Sequence, residues 1–179
     1  MTLKRGQQLL DKNGSVAEFD NYYKCLVTVD MPHHQVHEGE AYFVDDYQTG
    51  KTAVCYAMTV PAVGQYHFVW GFQASDAFSM NLFEGATLSA SGAALTKYNS
   101  NRNSANTSAL AVSTAPAISS PGTIIKRAII NSGVGTADFG GSTREEQEIN
   151  LKNSTTYLLS ASGSSAGVHL RMYWYETGT

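Results

Sequence analysis

Charge is the scarcest property of this sequence. Only 15% of its 179 residues are Asp, Glu, Lys or Arg, and the formal net charge is -3, whereas about 25% is typical of soluble domains. No basic stretch could grip a nucleic acid, so no nucleic-acid partner is expected. No apolar run approaches the ~20 residues needed to cross a membrane, so no membrane partner is expected either.

Cysteine is also rare, because the chain has only Cys25 and Cys55. Residues 1–10 lack the apolar segment of a secretory signal, which predicts synthesis and folding in a cytoplasm. In such a reducing compartment, two free thiols on strands are favoured over a disulfide between them, which remains the alternative.

Sequence signatures of common enzymes are missing. The chain has no Gly-x-Ser-x-Gly nucleophile elbow and no glycine-rich phosphate loop that ends in Lys-Ser or Lys-Thr. Pairs of carboxylates for glycoside hydrolysis can be drawn from any chain with 15 acidic residues, so such pairs carry no signal. The sequence therefore predicts a protein without a cofactor and without catalytic activity.

What is present is a β pattern. Hydrophobic residues make up 42% of the chain, and many alternate with polar ones, as Tyr66, Phe68, Trp70 and Phe72 do. Turn residues separate short runs of this kind, which predicts nine or ten strands and almost no helix. The predicted strands cover residues 25–30, 41–44, 52–60, 65–72, 77–84, 86–91, 109–114, 122–131, 155–160 and 167–175. A turn at Gln48-Thr49-Gly50 is predicted after the second strand, and a serine-rich hairpin loop is predicted between the last two.

These strands predict an all-β protein whose single β-sandwich or jelly-roll domain covers residues 25–179. Residues 1–24 are polar and weakly patterned, and we expect them to form an N-terminal arm or a short helix.

Residues 83–125 form the most unusual segment. Between Ala77 and Ile125 only Glu84, Lys97 and Arg102 are charged, and small polar residues and alanine fill most of the rest. A surface open to water carries more charge than this. We therefore expect a long excursion from the β domain that another protein covers.

Arg102 stands in the asparagine- and serine-rich middle of this excursion. Two interpretations are open: a loop cation in water, or an arginine held across a subunit contact by Glu84 or by one of Glu145, Glu146 and Glu148. The predicted interface residues are Arg102, Asn99, Asn101, Asn103 and Glu84.

Histidines and carboxylates cluster between His33 and Glu40, and they raise the question of a metal site. The candidate ligands are His33, His34, His37 and Glu40, with His67 or His169 as a distant fourth ligand. A jelly-roll metalloenzyme needs its histidines on one face of a strand, whereas adjacent histidines on a strand point to opposite faces. We therefore expect no metal, and expect His37 and Glu38 to hydrogen-bond at a strand entrance.

Tyrosine and tryptophan are plentiful enough for a sugar platform to be considered. The candidates are Tyr22, Tyr23, Tyr42, Tyr47, Tyr56, Tyr173, Trp174 and Tyr175. A platform needs exposed rings, and the sequence does not separate exposed rings from core rings.

Taken in order, several short motifs resemble structural proteins of tailed phages and prophages, over residues 33–176. They are His33-His34-Gln35-Val36-His37-Glu38-Gly39, Phe83-Glu84-Gly85, Asn99-Ser100-Asn101-Arg102-Asn103-Ser104, Pro121-Gly122-Thr123-Ile124, Gly140-Gly141-Ser142-Thr143-Arg144, Glu148-Ile149-Asn150-Leu151, Thr155-Thr156-Tyr157-Leu158 and Trp174-Tyr175-Glu176.

The resemblance implies a head decoration, or cement, protein. Such a protein is a non-enzymatic β-sandwich, commonly a homotrimer, that binds the major capsid protein on the virion surface after assembly in the host cytoplasm. Two alternatives remain: a tail- or fibre-associated protein that binds glycans, and a metal-dependent jelly-roll enzyme.

Overall fold

The computed structural model describes residues 19–20, 25–26, 31–130, 137–139 and 148–178. The predicted arm, residues 1–24, lies outside the described residues except for Phe19–Asp20. The chain divides into two units, Met1–His34 and Gln35–Thr179. In the first unit the two short strands β1 and β2 pair antiparallel, and the second unit carries the β domain.

The described elements are one helix and fourteen strands. In chain order they are β1 (Phe19–Asp20), β2 (Cys25–Leu26), α1 (Met31–Glu38), β3 (Ala41–Thr59), β4 (Gln65–Ala74), β5 (Phe78–Glu84), β6 (Thr87–Ala90), β7 (Ala93–Ala94), β8 (Tyr98–Asn99), β9 (Ala111–Thr114), β10 (Ala117–Ser120), β11 (Thr123–Ile130), β12 (Ala137–Phe139), β13 (Ile149–Leu151) and β14 (Thr156–Thr177). The all-β prediction is confirmed, and the antiparallel sheet curls into a sandwich-like domain.

Two long strands, β3 and β14, organise the sheet. They pair with each other along almost their whole length, from Thr156 opposite Thr59 to Tyr175 opposite Ala41. The first half of β14 also pairs with β5, whereas its second half pairs with β4. The two long strands therefore belong to both halves of the sheet, which we call sheet A and sheet B.

Sheet A contains β8, the first half of β3, the second half of β14, and β4 with its neighbours β12 and β13. Sheet B contains β7, β9, the second half of β3, the first half of β14, β5 and β11. The corner lies where the register of β14 shifts, between Ser162 and Val168. Strands that bend in this way make the corners of sandwiches in which one sheet continues into the other.

This corner corrects the sequence prediction at two places. We predicted a turn near Gly50 and a serine-rich hairpin loop after Ser160, and both segments are instead bends inside single strands of 19 and 22 residues. Gly163 shows why: a Cβ there would lie 2.0 Å from the carbonyl oxygen of Ala77, so only glycine lets β14 pass β5 at the corner.

A single hydrophobic core lies between the two sheets. The alternating aromatic face of β4 is buried as predicted, with Tyr66 and Phe68 at 0% exposure. Phe72 of sheet A contacts Phe78 of sheet B, with ring centroids 6.0 Å apart. Lys126 of sheet B lies 4.8 Å from the ring centroid of Trp70, a cation–π contact across the sandwich.

Helix α1 is the element that the sequence prediction missed. It begins at Met31 and ends at Glu38, and the next residue, Gly39, has a φ of +75°. The amide of Gly39 donates to Val36 and the amide of Glu40 donates to Gln35, which is the pattern of a Schellman cap. Proline at the start and glycine just past the end were the available signals.

Candidate functional site

The low-charge excursion is a folded ribbon and not an irregular loop. One arm runs outward through β5, β6 and β7, and the other returns through β9, β10 and β11. The two arms pair with each other at β5–β11, at β6–β10 and at β7–β9. Because β9 also pairs with β3, the ribbon links the two opposite edges of sheet B.

Glycines make the sharp bends at the ends of the central part of this ribbon. Gly92 and Gly122 have φ values of +82° and +80°, which side-chain-bearing residues rarely adopt. A Cβ at Gly122 would also lie 2.2 Å from the carbonyl oxygen of Glu84. Each bend therefore needs a residue that has no side chain and tolerates a positive φ.

The ribbon is held by hydrogen bonds at both of its ends. The amides of Gly85 and Ala86 both donate to the carbonyl of Thr156 at 3.0 Å. At the other end, the hydroxyl of Ser113 donates to the carbonyl of Ser91. Leu158 points away from the core by strand alternation, yet its exposure is 0%. Residues outside the core therefore cover sheet B at Leu158.

The middle of the ribbon is exposed and uncharged. We call the β6–β10 pair, residues 87–90 and 117–120, the bridge. All four residues of β10 are exposed, as are three of the four in β6, and none of the eight carries a charge. Ile118 is 41% exposed. An isolated two-stranded ribbon is marginally stable in water.

The asparagine-rich tip, residues 99–107, is built around the end of helix α1. The side-chain amide of Asn99 donates to the carbonyl of Gly39 at 2.8 Å, and that of Asn101 donates to the carbonyl of His37 at 3.1 Å. The side-chain amide of Asn106 donates to the carbonyl of Glu38 at 3.4 Å. These bonds satisfy carbonyls that the helix end leaves without partners.

The predicted interface residues occupy different environments. Asn99 is buried and Asn101 is half-buried, and both serve the helix end, whereas Asn103 and Arg102 are exposed. The guanidinium of Arg102 lies 5.6 Å from the ring centroid of Tyr98. Glu84 lies apart from them at the base of the ribbon, where the hydroxyl of Tyr157 donates to it at 2.7 Å.

A buried carboxylate, which sequence reasoning missed, holds the other end of the tip. Glu176 is 3% exposed. Its Oε1 accepts from the hydroxyl of Ser108 at 2.5 Å and from the indole of Trp174 at 3.0 Å, and its Oε2 accepts from the amide of Ala109 at 3.3 Å. Leu170, Met172 and Trp174 are core residues at period two, so alternation could have placed Glu176 on the core face.

Besides Arg102, the only cation between Gly85 and Ile125 is Lys97, which binds at the same end of the tip as Glu176. The ammonium of Lys97 donates to the carbonyls of Ser108 and Leu110 at 2.7 and 2.9 Å. Arg102 is therefore the only exposed charge between Gly85 and Ile125.

A polar cavity of about 470 Å³ lies beside Glu176. Its lining includes Glu40, Tyr42, Asn106 and Thr107. Burial, together with the charges of Glu176 and Glu40, raises the pKa of Tyr42 to about 12. Tyr157 behaves similarly, because burial and its bond to Glu84 raise its pKa to about 12.

The metal candidates lie on a helix and not on a strand. His33, His34 and His37 are exposed residues of α1, and Glu40 follows the Gly39 cap and lines the cavity. In the part of the chain that the structure describes, no group of three or more His, Cys, Asp or Glu side chains could hold a metal ion. Cys55 is a free thiol there, and burial raises its pKa.

The two proposed distant ligands have carboxylate partners. Nδ1 of His67 lies 2.7 Å from Oε1 of Glu148, and Nε2 of His169 lies 2.9 Å from Oδ1 of Asp45. The hydroxyl of Tyr175 also donates to Glu148, at 2.8 Å.

The aromatic residues considered for sugar binding divide by burial. Four are buried: Tyr42, Tyr56, Trp174 and Tyr175. Two are exposed, Tyr47 at 65% and Tyr173 at 42%. Tyr22 and Tyr23 lie outside the described residues. Tyr98, which was not among the candidates, is 40% exposed.

Comparison with known proteins identified no similar protein. No family model, no curated protein and no solved structure matches this chain. Among the described residues, no helix has the length and apolar character needed to span a membrane.

Proposed function

We propose that this chain is a non-enzymatic structural protein that decorates and stabilises a phage capsid. The observation that carries the proposal is the bridge, an exposed and uncharged β6–β10 ribbon fixed at both ends to sheet B. The sequence resemblance to virion proteins is the second support.

The chemistry of the bridge suits a protein partner. The centres of protein interfaces are depleted in charge, and the bridge has no charged residue. Its two strands expose seven of their eight residues, and a two-stranded ribbon needs further packing to be stable. A partner that covers the bridge would supply this packing.

Attachment to the shell would stabilise it by mass action. A protein that binds the assembled capsid and not the free capsid protein shifts the equilibrium toward the closed shell. The major capsid protein is the proposed partner, and a homotrimer is the proposed oligomer, since a symmetric oligomer placed on the lattice contacts several capsomers at once.

A binding experiment tests the proposal directly. Purified protein is mixed with capsids that lack it, the capsids are recovered by sedimentation, and their disruption temperature is measured. We expect stoichiometric binding and a higher disruption temperature. If the protein does not sediment with the capsids and their disruption temperature is unchanged, the proposed function is wrong.

A charge placed on the bridge tests the surface. Ile118→Asp should weaken capsid binding at least about tenfold, because burying an unpaired carboxylate is costly. Val63→Asp is the matched control, since Val63 is 73% exposed in the turn between β3 and β4. Equal loss from both variants would show that the bridge is not the docking surface.

Light scattering of the free protein tests the oligomer. A trimer is expected, and a monomer at high concentration would contradict the trimer but not the capsid binding.

A further inference from the structure

A row of three aromatic side chains crosses the outer face of sheet A. In the strand register, Phe43 stands between Tyr98 on β8 and Tyr173 on β14. The ring centroids of Phe43 and Tyr98 are 5.4 Å apart, and those of Phe43 and Tyr173 are 6.1 Å apart, with interplanar angles near 30°. We call these three residues the aromatic row.

The row faces solvent because of strand alternation. On β3, the neighbours Tyr42 and Val44 are in the core, so Phe43 points outward. Tyr173 and Tyr98 are 42% and 40% exposed. Three adjacent aromatic residues on a surface are not required by the fold, because an outer sheet face is normally polar.

Polar and charged groups flank the row. At one end the guanidinium of Arg102 lies over the ring of Tyr98. The next register position along the strands carries Asp45, Arg171 and Gly71. The carboxylate of Asp45 is held by His169 at 2.9 Å and is 49% exposed. On β4, Val69 lies beside Tyr173, and Gly71, which has no side chain, leaves the surface beside Arg171 open.

The exposed area is too small for a protein partner alone. A fully buried aromatic side chain covers about 150–250 Å², so the exposed parts of Tyr98 and Tyr173 amount to roughly 60–100 Å² each. A stable protein interface needs about 800 Å² on each partner. The row therefore fits a ligand the width of a few rings.

We propose that the aromatic row binds an unbranched oligosaccharide of neutral pyranose sugars. The C–H faces of the sugar rings stack on Tyr98, Phe43 and Tyr173. Their hydroxyl groups then reach the carboxylate of Asp45 as acceptor and the guanidinium of Arg102 as donor. Small-ligand sites combine such aromatic surface with a few orienting polar groups. This inference does not depend on capsid binding.

Calorimetric titration tests the proposal with four probes: cellohexaose, maltohexaose, mannohexaose and chitohexaose. We expect at least one probe to bind, with Tyr173→Ala and Tyr98→Ala each weakening it at least about tenfold. Tyr173→Phe should keep most of the affinity, because it keeps the stacking ring. Tyr47→Ala is the matched control, since Tyr47 is an exposed tyrosine outside the row, and it should bind as well as the unmodified protein.

Three results would overturn the proposal. One is the absence of binding by all four probes at millimolar concentration. Another is an equal loss in Tyr47→Ala, which would indicate nonspecific contact with tyrosine. The third is that Tyr173→Ala dissociates an oligomer in light scattering while no probe binds, which would identify the row as a protein interface. Circular dichroism of each variant confirms that it is folded.

Discussion

Replacing Glu176 by alanine should destabilise the domain more than any other change of a single acidic residue in the described part of the chain. The carboxylate accepts from Ser108, Trp174 and the amide of Ala109. Alanine leaves these donors without their acceptor, and the site is buried, since Glu176 is only 3% exposed. The indole and the Ser108 hydroxyl keep their mutual contact at 3.1 Å, which limits the loss.

The magnitude follows from two opposed effects. A buried donor that loses its acceptor costs about 1–3 kcal/mol, and three donors are affected. Removing a buried charge recovers part of the cost of its desolvation. We expect a net loss of about 3 kcal/mol, which corresponds to a decrease of roughly 6–12 °C in melting temperature for a domain of this size.

Glu176→Gln removes the carboxylate charge but keeps one acceptor oxygen, so it distinguishes the hydrogen bonds from the charge. The glutamine oxygen can still accept from Ser108 and Trp174, while its amide group faces the Ala109 amide, donor against donor. We expect a loss of about 1–2 kcal/mol. Asp45→Asn is the control, because its half-exposed pair with His169 should contribute less than about 1 kcal/mol.

Urea unfolding followed by circular dichroism measures all three variants, and an unchanged slope against urea concentration shows that the same surface unfolds. The reasoning fails if Glu176→Ala unfolds within about 0.5 kcal/mol of the unmodified protein, which is the usual range for surface changes. It also fails if Glu176→Gln costs as much as Glu176→Ala, since shape and not the acceptors would then be responsible.

Three further predictions concern the ribbon, its tip and pH. Gly122→Ala should lower the free energy of unfolding by about 2 kcal/mol or more, and by more than Gly85→Ala. Both changes add strain at a positive φ, but only at Gly122 would the new Cβ collide with a backbone carbonyl. Equal losses in urea unfolding would contradict this. Asn99→Ala should lower the free energy of unfolding by about 2 kcal/mol, because it leaves the carbonyls of Gly39 and Asn106 without this donor. Asn103→Ala should cost under about 0.5 kcal/mol, because its side chain is exposed; the reverse order in thermal unfolding would refute the role of the helix cap. Tyr42 and Tyr157, with pKa values near 12, keep their protons between pH 10 and 12, whereas the unfolded chain releases them there. The free energy of unfolding should therefore fall as pH rises through this window, by at most about 1.4 kcal/mol per pH unit for each tyrosine. Equal stability at pH 9 and pH 11.5 would contradict this prediction.

Local patterns predicted most strands because each depends on its own residues. The alternation of Tyr66, Phe68, Trp70 and Phe72 predicted both the strand and its buried face, and β5 and β11 were placed to within one residue at each end. The corner strands were not predicted as continuous, because a serine-rich segment has the same composition in a hairpin loop as in a bend. Pairing with β3, a distant segment, decides between the two.

The tip of the excursion shows why the site was harder to predict than the fold. Asparagine-rich composition indicated an irregular segment, but composition cannot reveal that the amides of Asn99 and Asn101 reach the end of a helix about sixty residues earlier in the sequence. The helix itself was not predicted because it has only eight residues and weak amphipathic character. Its adjacent histidines were instead interpreted as possible metal ligands. Exposure of Tyr98 and Tyr173 likewise depends on which face of sheet A the strands present.

The two proposed surfaces belong to different parts of the β domain. The bridge connects the strands at the two edges of sheet B, and the aromatic row lies on the outer face of sheet A, so docking through the bridge uses no residue of the row. The two kinds of binding should therefore be compatible. If a hexaose probe binds the free protein, its affinity for capsid-bound protein should agree within about twofold, because no contact of the row changes. A loss of sugar binding upon attachment would show instead that the shell covers sheet A, and the bridge would then lose its place as the docking surface.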